Sequence, residues 1–167
     1  MKQATKRVYF MVYAAAIAAI YVTLTLVFAP ISFGAVQFRI SEALCILPFF
    51  TSAAVPGLAI GCLLSNLLCG AATMDVIFGS IATLIGAVGS WMIRRHKWAV
   101  CLPPIIANTL IIPWVLRYAY GAEDLIWFSM ITVGIGEILA IGVLGNLLMR
   151  ALEKSKEYIF KRNVTVS

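Results

Sequence analysis

The chain has 167 residues, 62% of them hydrophobic and only 12% charged, with a mean hydropathy of +0.98, far above the roughly 45–50% apolar usage of soluble domains. This excludes a soluble globular protein and leaves no room for a soluble domain beside the apolar runs, so the sequence reads as a single membrane domain, an all-α integral membrane protein. The net charge of +6 does not signal nucleic-acid binding, because its basic residues flank apolar runs, where they set membrane orientation.

A helix needs about 20 apolar residues to cross the hydrocarbon core. The first candidate is 8–29, ended by Pro30; it is too long, and lacks the cleavage motif, for a removable signal peptide. It reads AAAIAA from Ala14 to Ala19, so Ala14/Ala18 and Ala15/Ala19 are small-xxx-small pairs that let another helix approach closely. From 40 to 70 the chain is apolar for too long to be one span, and Val55-Pro56-Gly57 is a turn signal inside it. The run therefore divides into a short second helix, 41–54, and a third, 56–70.

Gln37, Arg39 and Glu42 stand at the mouth of the second helix. Glu42 can pair with Arg39 three residues away, and Ser41 or Glu42 can satisfy free N–H groups of the first turn. In the alternative reading, the 32–42 loop is a gate over a pocket, with Gln37 or Arg39 reaching a ligand. A fourth helix is predicted over 75–93, bounded by Arg94-Arg95-His96-Lys97, and a fifth over 98–118, interrupted by Pro103, Pro104 and Pro113. The sixth spans 125–150 and leads into a basic tail, 151–167.

Six spans put both termini on one side. Of the 13 Lys and Arg, eleven then fall on that side, in the N-terminal tail, the loop after the fourth helix and the C-terminal tail. This predicts that both termini are cytoplasmic. Only Arg39 and Arg117 remain outside, with Glu42, Asp75, Glu123 and Asp124. His96 reads as a solvated residue of a basic loop. Cys45, Cys62, Cys69 and Cys101 lie in apolar runs without CxxC or histidine at ligand spacing, so no metal site or disulfide framework is expected.

Ionisable groups in a membrane interior are costly, so they are functional candidates by default. Glu137 is the one acid expected to lie deep, about eleven residues into the sixth helix, with Gly134 and Gly136 clearing space for a flat ligand or for a neighbouring helix. Asn108 falls near the middle of the fifth helix and Asn66 in the outer half of the third. Asp75 opens the fourth at the outer surface, on one stripe with Gly79, Ala82 and Gly86. Asn146 and Arg117 are predicted to face away from Glu137 and Asn108 respectively. Trp114, Tyr118, Tyr120 and Trp127 cluster at the outer helix ends as interfacial anchors, Trp114 being a candidate to stack on a planar ligand.

The alanine-rich first helix, FGAVQFRISEAL at 33–44, DVIFGSIATLIG at 75–86, PPIIANTLI at 103–111 and VGIGEIL at 133–139 resemble the substrate-binding (S) components of energy-coupling factor (ECF) vitamin transporters, most closely the QueT family, assigned to queuosine precursors. The resemblance covers roughly 8–150. It implies a six-helix bundle that binds its substrate from outside and topples in the bilayer, energised by a transmembrane T protein and two ATPase subunits. It also implies that Ala14, Ala15, Ala18 and Ala19 dock the T protein. Independently, the chain lacks a G-x-x-x-x-G-K-[ST] loop, so it is not expected to bind ATP in that way, and no cofactor is expected.

Queuosine precursors are 7-deazaguanines, whose edge offers adjacent N–H donors and a carbonyl. A carboxylate accepts two such donors and an amide serves the rest, so Glu137 is expected on the purine-like edge and Asn108 beside it. Asp75 or Glu42 is a partner for an aminomethyl cation if the substrate is the amine rather than the nitrile. Other readings are a different vitamin-like cargo or a structural membrane protein. An intramembrane enzyme would need paired catalytic groups at one depth, and the sequence offers none.

Overall fold

The computed structural model describes residues 3–32, 38–123 and 125–160, and all regular structure among them is helical. α1 (Gln3–Val27) is followed by the four-residue α2 (Ala29–Ser32) and a 3-10 helix (Ile40–Phe49). Next come α3 (Ala54–Leu68), α4 (Thr73–Met92), α5 (Leu102–Tyr120) and α6 (Ile126–Glu137), which continues through π-helical turns (Ile138–Gly145) into α7 (Asn146–Phe160). Among the described residues, three stretches are long and apolar enough to cross a membrane: Gln3–Val27, Thr73–Met92 and Ile126–Ser155.

The segment expected as an α-helix over 41–54 is 3-10 and stops at Phe49. At about 2.0 Å per residue it reaches only about 20 Å, short of the roughly 30 Å hydrocarbon core. Pro48 lies inside it and has no N–H to close an α-turn. Every residue from Ser41 to Pro48 is buried. The segment is thus enclosed by the bundle, where irregular backbone is tolerated in a membrane.

α5 starts at Leu102 rather than 98, with Pro103 and Pro104 in its first turn, where their missing N–H groups cost nothing. It ends at Gly121, whose φ of 66° gives the left-handed C-cap. The last helix runs past residue 150 to Phe160. Good helix formers fill that stretch, and Lys97 Nζ donates to Glu153 beside it.

α1, α3, α4, α5 and α6 are neighbours in that order, and the 3-10 helix packs against α1, α3, α4 and the π-helical turns. Small residues set the spacing. A Cβ on Gly57 would lie 2.7 Å from the Ala14 carbonyl oxygen, and one on Gly61 would lie 2.8 Å from Tyr21 Cβ and 3.2 Å from Ala18 Cα. Gly57-x-x-x-Gly61 of α3 therefore meets Ala14-x-x-x-Ala18 of α1, a close crossing of the small-residue type. Ala15 and Ala19 are exposed on the other side of α1. Between α4 and α5, a Cβ on Gly86 would come within 2.6 Å of Pro104 Cα. Large apolar side chains such as Leu64, Leu68, Ile81 and Ile131 point outward, as suits a bundle whose solvent is hydrocarbon.

Candidate functional site

The helices enclose a set of buried polar side chains that gathers around two carboxylates, with a third between them. At one end, Glu137 is the last residue of α6, where the helix changes to π-helical turns, a distortion frequent at functional sites. Asn108 of α5 donates from Nδ2 to Glu137 Oε1 at 2.9 Å. Glu137 Oε2 is buried without a hydrogen-bond partner.

At the other end Asp75, in the first turn of α4, accepts at Oδ2 from Arg39 at 3.3 Å and from the Tyr120 hydroxyl at 3.0 Å. The Ala72 N–H donates to that hydroxyl at 3.1 Å, which ties the end of α5 to the turn before α4. Asn66 Nδ2 donates to the Asp75 backbone carbonyl at 3.2 Å. Asp75 Oδ1 and Asn66 Oδ1 are buried and have no hydrogen-bond partner.

Glu42 occupies the middle. Tyr21 of α1 donates its hydroxyl to Glu42 Oε1 at 2.5 Å, and the Cys45 thiol donates to Oε2 at 2.9 Å. One turn along α1, the Thr25 hydroxyl lies 2.8 Å from Ser41 Oγ. The 3-10 helix is thus bound to α1 by polar contacts, a strong constraint where no water competes.

Arg39, Glu42, Asn108 and Glu137, with Gly79, Thr83 and Ile112, line a cavity of about 10 Å³, room for about one water. A larger groove of about 570 Å³ between α4 and α5 is lined only by residues such as Ile85, Pro103, Ile106 and Leu110. It lacks the convergent polar groups that orient a polar ligand.

Six of the candidate site residues come together here: Glu137, Asn108, Asn66, Asp75, Arg39 and Glu42. All three acids are enclosed by the bundle: Asp75, in the first turn of α4, is 1% exposed, as is Glu42, and Glu137 is 5% exposed. The expected Arg39–Glu42 pair is replaced by Arg39–Asp75, because the 3-10 helix turns Glu42 toward Tyr21 and Cys45. Trp114 is not part of the cluster; it is 44% exposed and stacks on Tyr118. Gln37, with the rest of 33–37 in the 32–42 loop, lies outside the described residues. The glycine that opens space in the cavity is Gly79. A Cβ on Gly134 would make only ordinary 3.5 Å contacts with Thr109.

Sequence reading missed Tyr21 and Cys45, which hold Glu42, and the role of Tyr120. Tyr21 and Thr25 stand four residues apart on α1, and both are buried. That polar pair on one face of an apolar helix was the available signal. Among the described residues, no group of three or more His, Cys, Asp or Glu is placed to hold a metal ion.

A protein named Queuosine precursor transporter QueT, from Lactococcus lactis subsp. cremoris (strain MG1363), is 40% identical over 94 residues, or 54% of this chain and 55% of that protein. The match therefore spans about half the length of that relative. No solved structure matches the chain. The family model described as QueT transporter matches residues 11–154, which takes in the whole buried polar cluster, and the chain belongs to the QueT transporter family.

Proposed function

We propose that this chain is the substrate-binding component of an ECF-type importer and that its cargo is a queuosine precursor of the 7-deazaguanine type. Family membership over residues 11–154 supports the cargo class, and so does the name of the relative that shares 40% identity over about half its length. The observation that carries the reading to a site is the buried Asn108–Glu137 pair. Its free acceptor, Glu137 Oε2, suits the N–H edge of a guanine-like ring. Gly79 and Thr83 flank the space in which that ring would lie.

In this reading all six segments belong to one membrane-embedded domain with both termini cytoplasmic. The cargo enters from the outer side, where Arg39, Asp75 and Tyr120 cross-link the 3-10 helix, α4 and α5. A cavity of about 10 Å³ is far below the roughly 300–1,000 Å³ of occupied ligand pockets, so entry requires the outer cross-link to part. Transport then follows reorientation against a T protein driven by two ATPase subunits, with the outward face of α1 at Ala15 and Ala19 as the docking surface. Mass spectrometry of ligand co-purified with the full chain tests the cargo. A 7-deazaguanine supports the reading, and a different small molecule rejects it.

A further inference from the structure

Resting on the 7-deazaguanine reading, we infer that Asp75 Oδ1 is the seat of a primary ammonium group on the substrate, so that the protein selects an aminomethyl-bearing 7-deazaguanine over its nitrile counterpart. Three observations converge on that atom. The first is the division of labour within the carboxylate: Oδ2 already holds Arg39 and Tyr120, while Oδ1 is buried with no hydrogen-bond partner. A buried acceptor without a donor is costly, and a ligand that donates there recovers the loss.

The second is access. Gly79, one turn along α4, lines the cavity, and a Cβ there would lie 3.0 Å from Asp75 Oδ1. The glycine keeps open the space through which a small substituent reaches the oxygen. Asn66 Oδ1 is a second unpartnered acceptor of this region, carried by a side chain whose amide already bonds the Asp75 carbonyl. An –NH3⁺ group has three donors and no acceptor, which matches these two acceptors, Asp75 Oδ1 and Asn66 Oδ1. A nitrile offers only a nitrogen acceptor and would leave Asp75 Oδ1 facing a lone pair.

The third is elimination of the competing carboxylate. Glu42 has a donor on each oxygen, Tyr21 on Oε1 and Cys45 on Oε2, and Glu137 is joined to Asn108 at the far end of the cavity.

The test is isothermal titration of the purified full chain with a matched pair of 7-deazaguanines, one carrying aminomethyl and the other nitrile at the same position. A charge-assisted hydrogen bond in a dry site predicts that the amine binds about 10- to 100-fold more tightly. Asp75→Asn should bring the two within a few-fold of each other, chiefly by weakening the amine. Because Asp75→Asn also removes the charge that pairs with Arg39, Gly79→Ala is the second variant. It leaves the Arg39–Asp75 pair in place, crowds Oδ1, and should weaken the amine more than the nitrile. Equal or better binding of the nitrile, or a preference unchanged in both variants, overturns the inference while leaving the 7-deazaguanine reading intact. Failure of both compounds to bind the wild-type protein overturns that reading, and this inference with it.

Discussion

Asn108 on α5 and Glu137 on α6 are joined by a 2.9 Å hydrogen bond in which the amide donates to Oε1, while the second carboxylate oxygen is buried without a hydrogen-bond partner. Both side chains are nearly fully buried. A carboxylate so placed is held in one orientation by α5 and presented from the end of α6. That is the preorganisation a binding site needs, since rotamer freedom is lost before the ligand arrives.

Glu137→Ala should weaken binding of the cargo by about 2–5 kcal/mol, because ligand donors and the Asn108 amide are both left unpaired. Glu137→Gln is the sharper variant: it keeps the volume and can still accept from Asn108, but it turns an NH2 group toward the ligand where an acceptor stood. It should therefore lose affinity while the melting temperature stays close to wild type. Titration calorimetry and thermal unfolding separate the two effects. Unchanged affinity in Glu137→Gln would remove Glu137 from the site.

The contribution of α1 to the site is also measurable. Tyr21→Phe removes one hydroxyl from a fully buried position and leaves Glu42 Oε1 without its donor. The expected cost is about 1–3 kcal/mol of stability, and Glu42→Gln in a double-mutant cycle should show coupling between the two residues. If the two effects simply add, the Tyr21–Glu42 contact carries no energy of its own.

How far the sequence foretold this arrangement depended on which physical signal each residue leaves. Long apolar runs bounded by Pro, Gly and basic clusters mark helices, and these were legible. Glu137 and Asn108 were legible as members of the buried polar cluster because a polar group deep in an apolar run stands out. That Asp75 and Glu42 are enclosed by the bundle was not legible, because counting along straight helices cannot register a ten-residue 3-10 segment packed inside it. Hydropathy does not distinguish i→i+3 from i→i+4 hydrogen bonding. Tyr21 was passed over because an aromatic in an apolar helix looks like core until its hydroxyl is seen to reach another helix.

The alanines of α1 divide into two sets, packed and exposed, that substitution can separate. Ala18 faces Gly61 of α3 at contact distance, so Ala18→Leu should overpack that crossing and cost about 1–3 kcal/mol, seen as a lower melting temperature of the isolated chain. Ala15 and Ala19 are exposed, so Ala15→Trp and Ala19→Trp should leave the isolated chain stable and bind ligand normally. If the T protein docks on this face, both should fail to co-purify with it. Normal assembly of both tryptophan variants would move the docking surface elsewhere.

The Arg39–Asp75 pair is the structural link between the start of the 3-10 helix and α4, and its removal has two consequences that need not move together. Arg39→Ala leaves Asp75 as a buried charge with only Tyr120 on Oδ2, and breaking such a pair from one side costs about 3–5 kcal/mol. Arg39→Ala combined with Asp75→Ala should recover part of that loss, since neither charge is then stranded. Arg39→Lys keeps the charge but not the planar fork, so it should fall between wild type and Arg39→Ala in stability. If the pair also closes the outer end of the cavity, ligand dissociation measured by rapid mixing should accelerate in Arg39→Lys by a larger factor than its stability loss alone accounts for. A dissociation rate that stays at the wild-type value while the melting temperature drops would confine Arg39 to holding the bundle together.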